Sequence, residues 1–179
     1  VDELNTRNST IHYGLQTNGT LIDDRWAKFF KQRKFLIGLS LDGDFENNSF
    51  RVDANGENSY YKIIKAANIF EKHGVDFNIL TVLTGRCADN IDAILNHYKK
   101  RGFKYLQFIP CLRPFGDTGE SELYMTPEQY KHFLIHGFNS YVKDYVRDEY
   151  TSIRYFDNLV HLYLGNPTEQ CGMCGHCMH

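Results

Sequence analysis

The strongest constraint on this chain is an alternation that begins at IHYGLQT and runs through most of the sequence. A short apolar run, a polar turn and an amphipathic stretch follow one another four times; the apolar runs are IHYGLQT, FLIGLSL, VDFNILTVL and KYLQFIP. Strands that are separated by crossover helices must lie parallel, with right-handed connections. The alternation therefore predicts an α/β fold, as an open sheet or as part of a barrel.

The predicted helices carry their own boundary signals. The second and third have apolar residues at helical spacing, namely Ile63, Ala66, Ala67 and Phe70, then Ile91, Ile94, Leu95 and Tyr98. Gly74 and Gly102 follow them where a left-handed cap is expected. The first helix is expected around residues 21–33, and TPEQ at 126–129 predicts a capping box with proline at the first helical position. Four strand–helix units are too few for a complete barrel of about 250 residues.

Composition excludes several classes of protein. With 179 residues, 42% of them hydrophobic, the chain can bury one substantial core. Twenty basic against 22 acidic side chains leave no basic excess for a nucleic-acid backbone, so we expect no nucleic-acid partner. No apolar run approaches the roughly 20 residues that span a bilayer, and VDELNTRNST does not resemble a signal peptide. We therefore expect a cytoplasmic protein without a membrane partner.

Ligands of parallel α/β folds bind at the carboxyl ends of the strands. The candidate ligand-binding residues are therefore Thr17 to Gly19, Ser40, Asp42 and Gly43, Thr81 to Arg86, and Pro110 to Arg113. After the longest helix the alternation stops, and TSIRYFDNLVHLYLGNP reads as a short extended segment, a short helix and a turn. We expect a barrel-like domain over residues 1–150 and a separate tail over residues 151–179.

Three of the five cysteines are clustered in CGMCGHC near the end of the chain, at Cys171, Cys174 and Cys177. An odd number of cysteines with such a cluster fits a metal site in a reducing compartment better than disulfides. Thiolates bind both zinc and iron–sulfur clusters, and three of them leave a fourth ligand to be found. Cys87 and Cys111 each stand alone and are expected to be core or loop thiols.

Several of these stretches together resemble one family. QTNGTLIDD, LSLDG, FNILTVL, YLQFIPCLRP, YFDN and the following cysteines are similar to the anaerobic sulfatase-maturating enzymes of the radical S-adenosylmethionine superfamily. The resemblance implies a partial (βα)6 barrel, with these four units as its third to sixth strands, followed by the start of a SPASM-type domain for auxiliary 4Fe–4S clusters. The CxxxCxxC and GGEP-like motifs of the family do not occur in the chain. The resemblance thus implies an internal fragment that is inactive alone.

The resemblance also assigns residues, position by position. Ser40 resembles the serine that hydrogen-bonds S-adenosylmethionine, Arg51 the arginine that pairs with the cofactor carboxylate, and Leu112 the residue that borders the adenine. The loop DGDFENNSFR, which carries Arg51, is one residue shorter than is usual in the family. Cys171 and Cys177 match the first auxiliary-cluster ligands, and Cys174 is additional.

The implied reaction is removal of a β-hydrogen from a cysteine or serine of a sulfatase peptide by a 5′-deoxyadenosyl radical, which leads to formylglycine. Two alternatives stay open: a SPASM-type radical enzyme that modifies another peptide, and a non-enzymatic α/β module with a zinc-binding tail. Asp157 of YFDN is interpreted as a structural residue that caps the short helix. A sheet without its neighbouring strands predicts self-association through an exposed edge.

Overall fold

A computed structural model describes residues 5–7, 9–119 and 121–169. The strands are β1 (Tyr13–Thr17), β2 (Phe35–Ser40), β3 (Asp76–Leu83), β4 (Tyr105–Pro110) and β5 (Ser152–Ile153). The helices are α1 (Asp24–Gln32), α2 (Tyr60–His73), α3 (Gly85–Asp89), α4 (Ile91–Lys100), α5 (Pro127–Val146) and α6 (Arg154–Tyr163), with a 3₁₀ turn at Asn47–Phe50.

All five strands are parallel and lie in chain order, β1-β2-β3-β4-β5. Unbroken chain order is the arrangement of a βα barrel, since a doubly wound sheet reverses its strand order at a switch point. The predicted α/β class is therefore confirmed, and its barrel-like order follows. Within the described part of the chain the sheet remains open, because β1 and β5 do not pair.

The two faces of the sheet differ in burial because successive side chains point to opposite sides. Ile37, Leu39 and Ile79 have no exposed surface and belong to the core that the helices cover. On the alternate positions, Leu36 and Tyr105 are 55% and 63% exposed. One face thus supplies the core, and the other is left partly open.

Helix boundaries follow the capping residues. The Asp23 carboxylate accepts hydrogen bonds from the amides of Arg25 and Trp26 at 2.9 Å, so α1 begins at Asp24, three residues later than expected. Leu21 offers no such capping group. The predicted left-handed cap at Gly74 (φ 64°) and the capping box at Thr126 are both confirmed. None of the described helices combines the length and apolarity that crossing a membrane requires.

The predicted short extended segment forms β5, which pairs in parallel with β4 through Leu106 and Ile153. The helix after it, α6, packs Phe156 against Phe133 of α5, with ring centroids 5.8 Å apart. Phe156 is buried. The sheet and its core therefore continue beyond residue 150, into the first part of the predicted tail.

Candidate functional site

The carboxyl ends of β2 and β4 bring two of the predicted cofactor-binding residues to the same edge of the sheet. Ser40 is the last residue of β2, and Leu112 follows the end of β4 at Pro110. With β3 between them, the two strands lie about 10 Å apart. Ser40 is half-buried and its hydroxyl has no hydrogen-bond partner among the described residues, while the Leu112 side chain is 80% exposed.

The third predicted residue, Arg51, follows the 3₁₀ turn in the loop after β2. Its Nε lies 2.7 Å from Oδ2 of Asp42, and its Nη2 donates to Oδ1 at 2.9 Å. Oδ1 also accepts a hydrogen bond of 2.8 Å from the amide of Val82 in β3. A hydrogen bond between two charged groups, such as that from Nη2 to Oδ1, is stronger than one between neutral groups. The pair therefore ties Arg51 to the edge of the sheet through a carboxylate of the protein.

Asparagine side chains fold the remainder of this loop onto itself. The fully buried Asn48 accepts a 3.1 Å hydrogen bond from the amide of Asp42 and donates one of 3.1 Å to Asn58. Asn58 in turn donates to the carbonyl of Phe45 at 2.7 Å. Buried polar groups need hydrogen-bond partners, and these side-chain amides supply them in a loop that has little regular structure.

A tyrosine of α4, Tyr98, forms hydrogen bonds with the backbone at the start of the same loop. The Tyr98 hydroxyl accepts a 2.7 Å hydrogen bond from the amide of Gly43, donates to the carbonyl of Leu41 at 2.8 Å and contacts Oγ1 of Thr81 at 2.7 Å. Burial raises the pKa of Tyr98 far above its usual value, so the group stays a neutral phenol that can both donate and accept. The apolar spacing of α4 predicted Tyr98 as a core residue, but spacing alone carries no information about its hydroxyl.

Asp157 lies away from this edge and does not cap a helix. The helix α6 begins at Arg154 without a side-chain cap, so the predicted capping role is wrong. The carboxylate of Asp157 instead accepts hydrogen bonds from the hydroxyls of Tyr141 (2.8 Å), Ser152 (2.6 Å) and Tyr150. These bonds join α5, β5 and α6, so the role of Asp157 in this region is structural.

Asp157 also borders a cleft of about 710 Å³ at the opposite edge of the sheet. The strand residues that line it, Leu36, Asp76, Asn78, Tyr105 and Ser152 among them, lie at or near the amino-terminal ends of their strands. Because ligands of βα folds bind at the carboxyl edge, this cleft is not where the cofactor is expected.

The predicted metal ligands Cys171, Cys174 and Cys177 lie outside the described residues. Within the described ranges, no group of three or more histidine, cysteine or acidic side chains is placed to hold a metal ion. Cys87 is a buried free thiol whose pKa burial raises, and Cys111 is a partly buried one. Both match the expectation of core or loop thiols.

Comparison with known proteins identifies relatives of this chain. No family model matches it. It is 44% identical to a cysteine-type anaerobic sulfatase-maturating enzyme of Clostridium novyi, over 99% of this chain and 48% of that protein. It is 30% identical to a serine-type enzyme of Bacteroides thetaiotaomicron, over 97% of this chain and 45% of that protein. The chain is thus similar over nearly its whole length to about half of an anaerobic sulfatase-maturating enzyme. The resemblance seen in LSLDG, QFIPCLRP and YFDN is thereby confirmed.

Solved structures agree with this assignment. Native anSMEcpe with bound AdoMet matches with a TM-score of 0.91 and 39% identity, over 96% of this chain and 47% of that chain. The same protein with AdoMet and the Kp18Cys peptide matches equally well. Streptococcus suis SuiB, at 18% identity and a TM-score of 0.52, shares the fold alone. The chain spans about half the length of the maturating enzymes it matches.

Proposed function

We propose that this chain is part of a radical S-adenosylmethionine oxidoreductase that converts a cysteine or serine of a sulfatase to formylglycine. The observation that carries the proposal is the parallel sheet with Ser40, Arg51 and Leu112 at or just beyond its carboxyl edge. That sheet matches the AdoMet-bound maturating enzyme at a TM-score of 0.91. The proposed role of the sheet edge is to bind and orient the cofactor.

The chemistry of these three side chains fits S-adenosylmethionine. The Ser40 hydroxyl can donate to or accept from the ribose or the amino-acid group, and the Arg51 guanidinium suits a carboxylate. Leu112 offers an exposed apolar side chain to the purine. When bound, the cofactor and a 4Fe–4S cluster supply the radical that abstracts hydrogen. Ser40, Arg51 and Leu112 would orient the cofactor at the carboxyl edge of the sheet.

We further propose Cys171, Cys174 and Cys177 as ligands of an auxiliary 4Fe–4S cluster. Their thiolates are soft ligands at a spacing that suits such a cluster, and they also suit zinc. Iron and acid-labile sulfide in the anaerobically purified protein would support the cluster, whereas zinc without sulfide would contradict it. Because thiolates of this kind need a reducing environment, we propose a cytoplasmic location.

A cysteine substrate is favoured over a serine substrate. Three cysteine-type relatives are 41–44% identical to this chain, whereas the serine-type relative of comparable coverage is 30% identical. Structures of anSMEcpe were solved with the Kp18Cys and Cp18Cys peptides. The proposed partner is therefore a sulfatase peptide or polypeptide, and the near-neutral charge balance argues against nucleic acid.

The 179-residue chain by itself is proposed to be inactive and to self-associate. It lacks the CxxxCxxC motif, and β1 pairs only with β2 among the described strands. Leu15 on β1 is 40% exposed. An unpaired strand edge with apolar side chains promotes edge-to-edge contact. A single monomeric species in sedimentation velocity across a range of concentrations would contradict the second proposal.

The decisive experiment uses the complete protein that the gene encodes, reconstituted anaerobically with iron and sulfide. It is incubated with S-adenosylmethionine, a reductant and a sulfatase peptide carrying cysteine at the target position. Mass spectrometry should show the thiol-bearing carbon converted to an aldehyde. Ser40→Ala and Arg51→Gln should weaken cofactor binding, whereas the surface change Lys28→Gln, on α1, should not. Cofactor cleavage with an unmodified peptide would point to another peptide substrate, and no cofactor binding would refute the proposal.

A further inference from the structure

We propose that Asp42 is a positioning residue: it holds one edge of the Arg51 guanidinium and leaves the opposite edge for the carboxylate of a ligand. The inference rests on the proposed function for the identity of that ligand. The contact between Asp42 and Arg51 does not depend on it. Neither the sequence pattern nor the resemblance assigns a role to Asp42.

The guanidinium has two edges that can each hold a carboxylate through two parallel hydrogen bonds. Nε and one N–H of Nη2 form the first edge, which faces Asp42: Nη2 donates a hydrogen bond of 2.9 Å to Oδ1, while Nε lies 2.7 Å from Oδ2 in an ion pair without a hydrogen bond. The second edge consists of Nη1 and the other N–H of Nη2. Within the described part of the chain, Nη1 of Arg51 has no hydrogen-bond partner. One edge of the Arg51 guanidinium therefore faces Asp42, and the opposite edge is available to a second carboxylate.

Asp42 is itself held firmly, which makes it a suitable anchor. Its side chain is only 8% exposed, and Oδ1 accepts from the amide of Val82 in β3. Its own amide donates to Asn48. The residues on either side of it are fixed by the hydroxyl of Tyr98. The position of the guanidinium is thus set by the sheet, although Arg51 itself lies in an irregular loop.

Two opposing effects on ligand affinity follow from this contact. Because Arg51 is already fixed before binding, the ligand does not have to order its side chain. This reduces the entropic cost of binding by about 0.5–1.5 kcal/mol for one long side chain. The negative charge of Asp42, in contrast, offsets the attraction between Arg51 and an anionic group. If positioning dominates, removing the charge of Asp42 weakens binding; if charge compensation dominates, the same change strengthens it. The sign of the effect therefore tests the proposal.

The test titrates the complete protein that the gene encodes with S-adenosylhomocysteine. This ligand keeps the carboxylate of the cofactor and cannot form a radical. Asp42→Asn is nearly isosteric and keeps an oxygen for the Val82 amide. We expect it to raise the dissociation constant about 2- to 12-fold. In an Arg51→Ala background the same change should have no effect, because Asp42 acts through Arg51. Methylthioadenosine, which lacks the carboxylate, should bind equally to wild type and to Asp42→Asn.

A second readout does not require any ligand. In the wild-type protein, the Nη2 protons of Arg51, one of which is hydrogen-bonded to Asp42, should exchange with water more slowly than those of exposed arginines such as Arg25 and Arg147, and Asp42→Asn should reduce this protection. Fast exchange in the wild type would overturn the positioning role even if a variant failed to fold. Tighter binding by Asp42→Asn, or an equal loss in the Arg51→Ala background, would overturn it as well. Protected exchange without any binding of S-adenosylhomocysteine would refute the cofactor site and leave the anchored guanidinium established.

Discussion

Replacing Tyr98 by phenylalanine removes a single oxygen atom from the buried centre that holds the loop after β2. That oxygen accepts from the Gly43 amide at 2.7 Å and donates to the Leu41 carbonyl at 2.8 Å. The ring itself is fully buried among apolar side chains and keeps its packing in the variant. The change therefore isolates the contribution of the hydroxyl.

The size of the effect follows from which partners lose their hydrogen bond. The carbonyl of Leu41 still accepts from the hydroxyl of Thr81, at 2.9 Å, so its loss is small. The amide of Gly43 is buried and, among the described residues, is left without an acceptor. An unsatisfied buried donor costs about 1–3 kcal/mol. We expect Tyr98→Phe to lower the free energy of unfolding by about 2 kcal/mol.

Urea unfolding of both proteins, with amide hydrogen exchange of Gly43, checks this expectation. Tyr61→Phe is the matched control because the Tyr61 side chain is 70% exposed, and it should change the free energy of unfolding by no more than about 0.5 kcal/mol. A loss of less than about 0.5 kcal/mol in Tyr98→Phe, with the Gly43 amide equally protected, would refute this role of the hydroxyl.

Three further predictions concern other elements. Gly38→Ala would place a Cβ 2.6 Å from Cδ1 of Leu80, so thermal unfolding should show that the free energy of unfolding falls by roughly 1–3 kcal/mol. Gly14→Ala, with open space around the added Cβ, should leave the free energy of unfolding unchanged. Thr126→Ala removes half of the capping box of α5 and should cost about 1 kcal/mol in the same assay, and an unchanged melting temperature would contradict the cap. Burial, followed by a hydrogen bond to Tyr155, raises the pKa of Tyr130 to about 12. The folded state therefore favours its neutral form, so the stability that Tyr130 contributes should be fully present below about pH 10 and be lost as the pH rises to about 12, which urea unfolding of the wild type and Tyr130→Phe across that range would show.

Much of the fold was accessible from the sequence because its signals are local. Helical spacing, a left-handed glycine at the end of α2 and the Thr126 capping box each depend on residues a few positions apart, and the structure confirms them. The alternation of strands and helices also predicted the parallel class. The start of α1 was misplaced because the periodicity of apolar residues does not distinguish Leu21 from the capping residue Asp23.

The contacts that shape the candidate site could not be predicted in the same way, because they join residues far apart in the chain. The carboxylate of Asp42 contacts an amide in β3, and the hydroxyl of Tyr98 contacts a backbone amide 55 positions earlier. The sequence places Tyr98 on the core side of a helix but contains no signal for what its oxygen meets. Likewise, Arg51 could be matched to a family position, but its bond to Asp42 appears only when the loop is folded.

In the proposed cofactor site, the groups that contact the ligand and the groups that fix their positions come from different parts of the chain. The groups proposed to contact the ligand, such as Ser40 and Arg51, stand at the end of one strand and in its following loop. The groups that fix their positions, including Thr81 and Tyr98, come from the next strand and a later helix. Because the loop has little regular structure of its own, its geometry depends on those distant hydroxyls and on Asp42. Substitutions in α4, which does not itself carry the proposed cofactor-binding residues, should therefore alter ligand affinity through the loop after β2.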